Sequence, residues 1–135
     1  MAGALSDFLV DKILNQMLSG VAYTWPTILY LELYTVTPTS AGGGTPVTGG
    51  SYARKAVTAN ATNFPTTSTQ ISTLNVLQDF VTATAAWGDV VAVGLFDDPT
   101  AGNFLAWDDF ASTTIADTNT ARIAVAGLTV ALQDS

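Results

Sequence analysis

The sequence predicts a mainly β protein, an antiparallel β-sandwich or barrel with one N-terminal α-helix. Three observations point there. Residues 5–18 form the only stretch with apolar residues at helical spacing. After it, short apolar runs recur between clusters of Gly, Pro, Asn, Asp and Thr. The clearest two runs, residues 87–96 and 103–107, flank DDPTAG, whose Asp98-Pro99 and Gly102 are turn residues in the right order. With no internal repeat and no break in composition, residues 1–135 read as one domain, a helix over 5–18 and a β-sandwich over 27–132.

The helix has its own punctuation. Ser6 is the expected N-cap, Asp7 and Asp11 put negative charge where the helix dipole favours it, and Gly20 is the stop. At about 100° per residue, Leu5, Leu9, Ile13, Leu14, Met17 and Leu18 cover more than half the circumference. The remaining strip holds Asp11, Lys12, Asn15 and Ser19, with Phe8 among them. So wide an apolar face predicts a helix packed on its own domain with one flank and on a partner with another. The alternative is a helix tucked deep into its own fold.

TILYLELYTV, residues 27–36, alternates Leu29, Leu31 and Leu33 with Ile28, Tyr30, Glu32 and Tyr34. Both faces are partly apolar, which predicts a strand that is central or covered on both sides. Residues 37–51, TPTSAGGGTPVTGGS, have no period and exceed the usual loop length, so an interaction arm or a disordered excursion is expected. A strand follows over 52–59, a turn-rich segment over 60–69 and weaker strand signals over 70–84. The final run, ARIAVAGLTVAL, sets Ile123 and Val125 on one face and Leu128, Val130 and Leu132 on the other. A bulge or bend at Ala126-Gly127 is expected to bury both sets.

Composition excludes whole classes of function. Eleven acidic against four basic residues, a net charge of −7, disfavour nucleic acid as a partner. The absence of Cys and His removes disulfides, thiolate chemistry, imidazole bases and the usual zinc ligands. No apolar run reaches the roughly 18 residues of a membrane span, and MAGALSDFLVDKIL does not read as a signal peptide. Only 11% of residues are charged, against about 25% in a typical soluble domain. Such a surface implies burial in an assembly; a monomer with a Thr-rich exterior is the alternative.

The carboxylates and tryptophans around DDPTAG suggest a sugar site, and geometry argues against one. If the turn closes a hairpin, paired residue numbers sum to 200. Trp107 then lies opposite Val93, about 20 Å along the strand from Trp87. Asp108 lies level with Ala92, about 16 Å from Asp97, whereas glycosidase carboxylates stand roughly 5–9.5 Å apart. Trp87 and Trp107 are therefore expected as core or interface anchors, Asp97 and Asp98 as turn residues, and Asp108 and Asp109 as a strand end. Asp97, Asp98 and Asn103 offer oxygens to calcium from one loop, but the pattern is no EF-hand. No P-loop or dinucleotide fingerprint is present. Arg54 and Lys55, an adjacent basic pair, read either as a dock for an acidic partner or, for Arg54, as the partner of an acid on a neighbouring strand.

Taken together, LSDFLVDKILNQML, TILYLELYTVTP, GGSYARKAVT, TATAAWGDVVAVGLFD and GNFLAW resemble a family of small bacteriophage virion structural proteins, among them tail-fibre proteins and capsid decoration or cement proteins. The resemblance is firmest at Gly49-Gly50, Tyr52-Ala53-Arg54, Trp87-Gly88, residues 94–97 and Gly102-Asn103, and weakest over 60–80. It implies a noncatalytic structural role with no catalytic, cofactor or metal residues. The resulting expectation is a decoration or cement protein, made in the host cytoplasm and located in the virion, that binds across capsid subunit junctions. The alternative is a tail-fibre or head-fibre component involved in host adhesion; a small calcium-dependent glycan-binding module is a third reading. Expected partners are the major capsid protein or other virion proteins and further copies of the chain, as a dimer or trimer, with no nucleic acid and no membrane. The expected partner-interface residues are Phe8, Gly43 in the 37–51 loop, Arg54, Lys55, Trp87 and Trp107.

Overall fold

The computed structural model describes residues 3–131. Its elements in order are β1 (Gly3–Leu5), α1 (Asp7–Leu18), β2 (Ile28–Val36), β3 (Thr45–Pro46), β4 (Lys55–Thr58), β5 (Ile71–Thr73), β6 (Gln78–Thr82), β7 (Gly88–Phe96), β8 (Phe104–Ile115), β9 (Thr120–Ile123) and β10 (Thr129–Ala131). The fold is mainly β with one helix, as predicted. One large sheet runs β3-β2-β7-β8-β1-β10-β5, with β4 also on β2, and β6 and β9 form a second, two-stranded sheet. The path is open, so the large sheet is no closed barrel. Phe80, Ala121 and Ile123 of the small sheet share one core with Leu31, Leu33, Val90, Val93, Leu105 and Ile115 of the large one.

The helix begins at Asp7, with the Ser6 hydroxyl accepting from the Leu9 N–H at 3.1 Å. Leu5, expected in the helix, belongs instead to β1, which pairs antiparallel with β8 and parallel with β10. Gly3 makes that approach possible: a Cβ there would stand 1.8 Å from the Trp107 carbonyl oxygen. At the other end, the Ser19 and Val21 N–H groups both donate to the Asn15 carbonyl, closing the helix around Gly20. No residue of α1 is buried, which rules out the deeply tucked alternative.

Strand β2 is central. Leu31, Glu32, Leu33 and Tyr34 are all buried, so both faces are covered. One edge pairs with β7; the other is shared by β4 over Ile28–Leu31 and by β3 beyond Tyr34. The gap between them is closed at Leu33, whose N–H donates to the Tyr52 hydroxyl at 2.7 Å and whose carbonyl accepts from Val47 at 2.9 Å. Residues 37–51 are therefore neither an arm nor a disordered excursion. They fold back onto β2, burying Val47 and pairing edge backbone groups that would cost free energy if buried without partners.

The hairpin β7–β8 forms as predicted at DDPTAG, with Phe96 opposite Phe104. Register irregularities then place Gly94 opposite Trp107 and Gly88 opposite Ile115. Asp108 and Asp109 do not end the strand: β8 continues to Ile115, and Asp108 is 5% exposed in its middle. Pairing with the full length of β7 carries a segment whose own pattern is not strand-like. The final run also departs from expectation. It is two strands in two sheets, joined by a tight turn in which Gly127 N–H donates to the Ala124 carbonyl at 2.9 Å and Ala126 has φ 62°. Ile123 and Leu128 are buried as predicted, while Val125 sits on the turn and is exposed. Leu132 lies outside the described residues.

Candidate functional site

Arg54 lies inside the fold. Its guanidinium pairs with Glu32 of β2, the side chains being 11% and 9% exposed. Nη1 donates to the carbonyls of Asp98 at 2.8 Å and Ala101 at 2.7 Å, and the plane lies 3.7 Å from the centre of the Phe96 ring. One side chain thus ties β2 to the β7–β8 turn, which is the neighbouring-strand reading of this residue. Burial, with the Glu32 charge adding and Arg54 opposing, pushes the adjacent Tyr34 phenol up to about 12. Lys55 lies beside it on β4, half-buried.

The two sequence-singled tryptophans are far apart. Trp87 is 5% exposed, donates from Nε1 to the Gly50 carbonyl at 3.0 Å and meets Tyr52 edge-on, ring centres 5.1 Å apart. Trp107 lies opposite Gly94, seven residues along β7 from Trp87, or about 23 Å. Phe8, placed by periodicity on the polar strip, is half-buried: its ring meets Tyr23 at 6.1 Å, with Lys12 Nζ 5.0 Å from its centre. Gly43 is exposed with open space where a side chain would stand. The structure does not gather these residues into one site.

The turn acids serve the turn. Asp97 accepts the Asn103 backbone N–H at 2.7 Å and its side-chain amide at 2.8 Å. Asp98 accepts the N–H groups of Thr100 and Ala101, which hold its carboxyl below the ordinary value. Among the described residues no three His, Cys, Asp or Glu side chains stand together as metal ligands. Asp108 faces inward; burial pushes its carboxyl up, the Thr129 N–H at 2.8 Å opposes the rise, and its other oxygen is buried without a partner.

What the chain does display is an apolar stripe. Val10, Leu14, Met17 and Leu18 follow the i, i+4, i+7, i+8 spacing of one helix face and are 37%, 47%, 73% and 77% exposed, and Val21, beyond the Gly20 stop, is 58% exposed. Trp25 (46%) and Ile28 (43%) continue the exposed apolar surface past the helix. Periodicity places Leu14, Met17 and Leu18 on the apolar face of the helix but singles out neither Val10 nor Trp25, which stands outside any periodic run. Exposed apolar surface of this kind is the sort that meets other chains or ligands in soluble proteins.

The fold thus packs one flank of the helix, through Phe8 and Leu9, on its core and leaves an apolar flank exposed beside an open β-sheet. The family described as Podophage GP4 fiber I protein gp80 matches residues 4–131, and the chain belongs to it. It is thus a structural protein of a phage virion. None of the curated proteins compared with it matches.

Proposed function

We propose that the protein is a non-enzymatic component of a virion fibre, seated in the particle by burial of the α1 stripe against another virion chain. The family description supports the fibre over the capsid-decoration reading, and the stripe carries the mode of attachment. Met17 and Leu18 are the most exposed of its members, and covering them would contribute about 2–4 kcal/mol before ordering costs. Copy number in purified particles, measured by quantitative mass spectrometry against the major capsid protein, tests the assignment. A small number set by tail or vertex symmetry supports a fibre. A number comparable to that of capsid subunits would make it a decoration protein, and absence from particles would refute both.

A further inference from the structure

We propose that the concavity between the segment after α1 and the β7–β8 turn binds a neutral pyranose sugar. The site rests on the geometry of this chain alone and does not depend on where in the virion the protein sits.

The concavity measures about 430 Å³ and is lined by residues 24–28, among them Trp25 and Ile28, together with Tyr30 and Asp97. That volume is within the range of small-molecule sites. Two other cavities in the molecule are lined mostly by aliphatic side chains such as Leu33, Val90 and Ile115, or Leu9, Leu29 and Leu105. Of these three, among the described residues, this one alone is lined by both an exposed aromatic ring and a carboxylate.

A pyranose presents an apolar C–H face and a rim of hydroxyl donors. The first wants a fixed aromatic surface, the second an acceptor with free lone pairs. Trp25 supplies the surface: it is 46% exposed, and its orientation is set by an edge-on contact with Tyr23, ring centres 4.8 Å apart at 85°. Tyr23 is braced in turn by Phe8 at 6.1 Å. Asp97 supplies the acceptor. Each of its oxygens takes one hydrogen bond from Asn103, which fixes the carboxylate and leaves about two of its roughly four acceptor positions open. Hydroxyl donation to such a charged acceptor is stronger than to a neutral one. The register of Tyr30 opposite Phe96 brings the strand end carrying Asp97 beside the tyrosine. The same carboxylate, in a chain of net charge −7, selects against uronic and sialic acids.

The test is a ¹⁵N–¹H titration of the full chain. Its three tryptophans give three indole N–H signals, and W25F identifies the one that matters. The probes are methyl glycosides of neutral hexoses and N-acetylhexosamines, with sorbitol and a methyl glucuronide as controls. The expected result is a saturable shift of the Trp25 indole by at least one pyranoside, with a Kd of about a millimolar, as suits a ligand of this size in a shallow site. W25A should abolish the accompanying backbone shifts, D97N should weaken them several-fold, and sorbitol and the glucuronide should be at least several-fold weaker. Because nearly half of Trp25 is exposed, W25A is expected to fold, which the dispersion of its own ¹⁵N–¹H spectrum checks, so the test stands even if D97N perturbs the turn. The proposal is overturned if no pyranoside moves the Trp25 signal, if sorbitol moves it equally, or if W25A leaves the backbone shifts intact. A Trp25 shift that tracks protein concentration without sugar would overturn it too, making the surface a protein contact.

Discussion

Replacing Arg54 by alanine is expected to destabilise the fold by about 3–5 kcal/mol, the cost of leaving a buried acid without its counter-charge. Glu32, whose side chain is 9% exposed, is that acid. Loss of the Phe96 contact accounts for about 0.5–2 kcal/mol of that figure, while the Asp98 and Ala101 carbonyls lie near enough to solvent for water to replace most of what Arg54 gave them. For 135 residues, an unfolding entropy of about 2.1 cal/mol/K per residue turns the 3–5 kcal/mol into a Tm loss of about 10–18 °C. Urea unfolding followed by circular dichroism, with thermal melts beside it, measures both quantities. The companion variant is R54A/E32Q, which removes the stranded charge and should recover at least half of the loss. The reasoning fails if R54A lies within about 1 kcal/mol of the wild type, or if the second substitution makes matters worse by its full single-mutant cost.

Four further outcomes follow from the same structure. Replacing Met17 and Leu18 by glutamate should leave the fold within about 0.5 kcal/mol of the wild type yet weaken incorporation into particles by about 30- to 1,000-fold, read by competition between wild-type and variant chains during assembly. Because burial raises the Asp108 pKa above its ordinary value, ionisation costs the folded state more than the unfolded chain. Stability should therefore fall as pH rises from the ordinary carboxylate range through the raised value, and D108N should flatten that part of the pH profile in urea titrations. D108A, which leaves the Thr129 N–H unpaired, should cost about 1–3 kcal/mol at neutral pH. Finally, Gly43 and Gly50 both have positive φ, but only at Gly50 would a Cβ meet Ala85 and Trp87 at 2.7 and 2.8 Å. G43A should cost about 1 kcal/mol and G50A clearly more, by the same melts.

Local signals carried much of the architecture. Ser6 and Gly20 bound the helix through short-range hydrogen bonds, the period-2 pattern of β2 reports burial on both faces, and DDPTAG closes its own hairpin through Asp97 and Asp98. Even the break at Ala126-Gly127 is legible, because the apolar phase flips there. The membership in a virion protein family is legible from short motifs of small and aromatic residues, although those motifs do not distinguish fibre from decoration.

Tertiary structure decided the rest, wherever a residue's partner lies far away in the chain. Gly3–Leu5 is too short to read as a strand until β8 and β10 flank it. The polar stretch from Asp108 to Thr114 becomes strand because β7 runs beside it, and the 37–51 loop is ordered by the open edge of β2. Arg54 and Glu32 are 22 residues apart, and Trp25 and Asp97, which flank the proposed sugar site, are farther still. Periodicity and turn chemistry act over a few residues, so they determine elements. Burial, pairing and juxtaposed side chains depend on which elements meet, and that is settled only when the whole chain closes on its core.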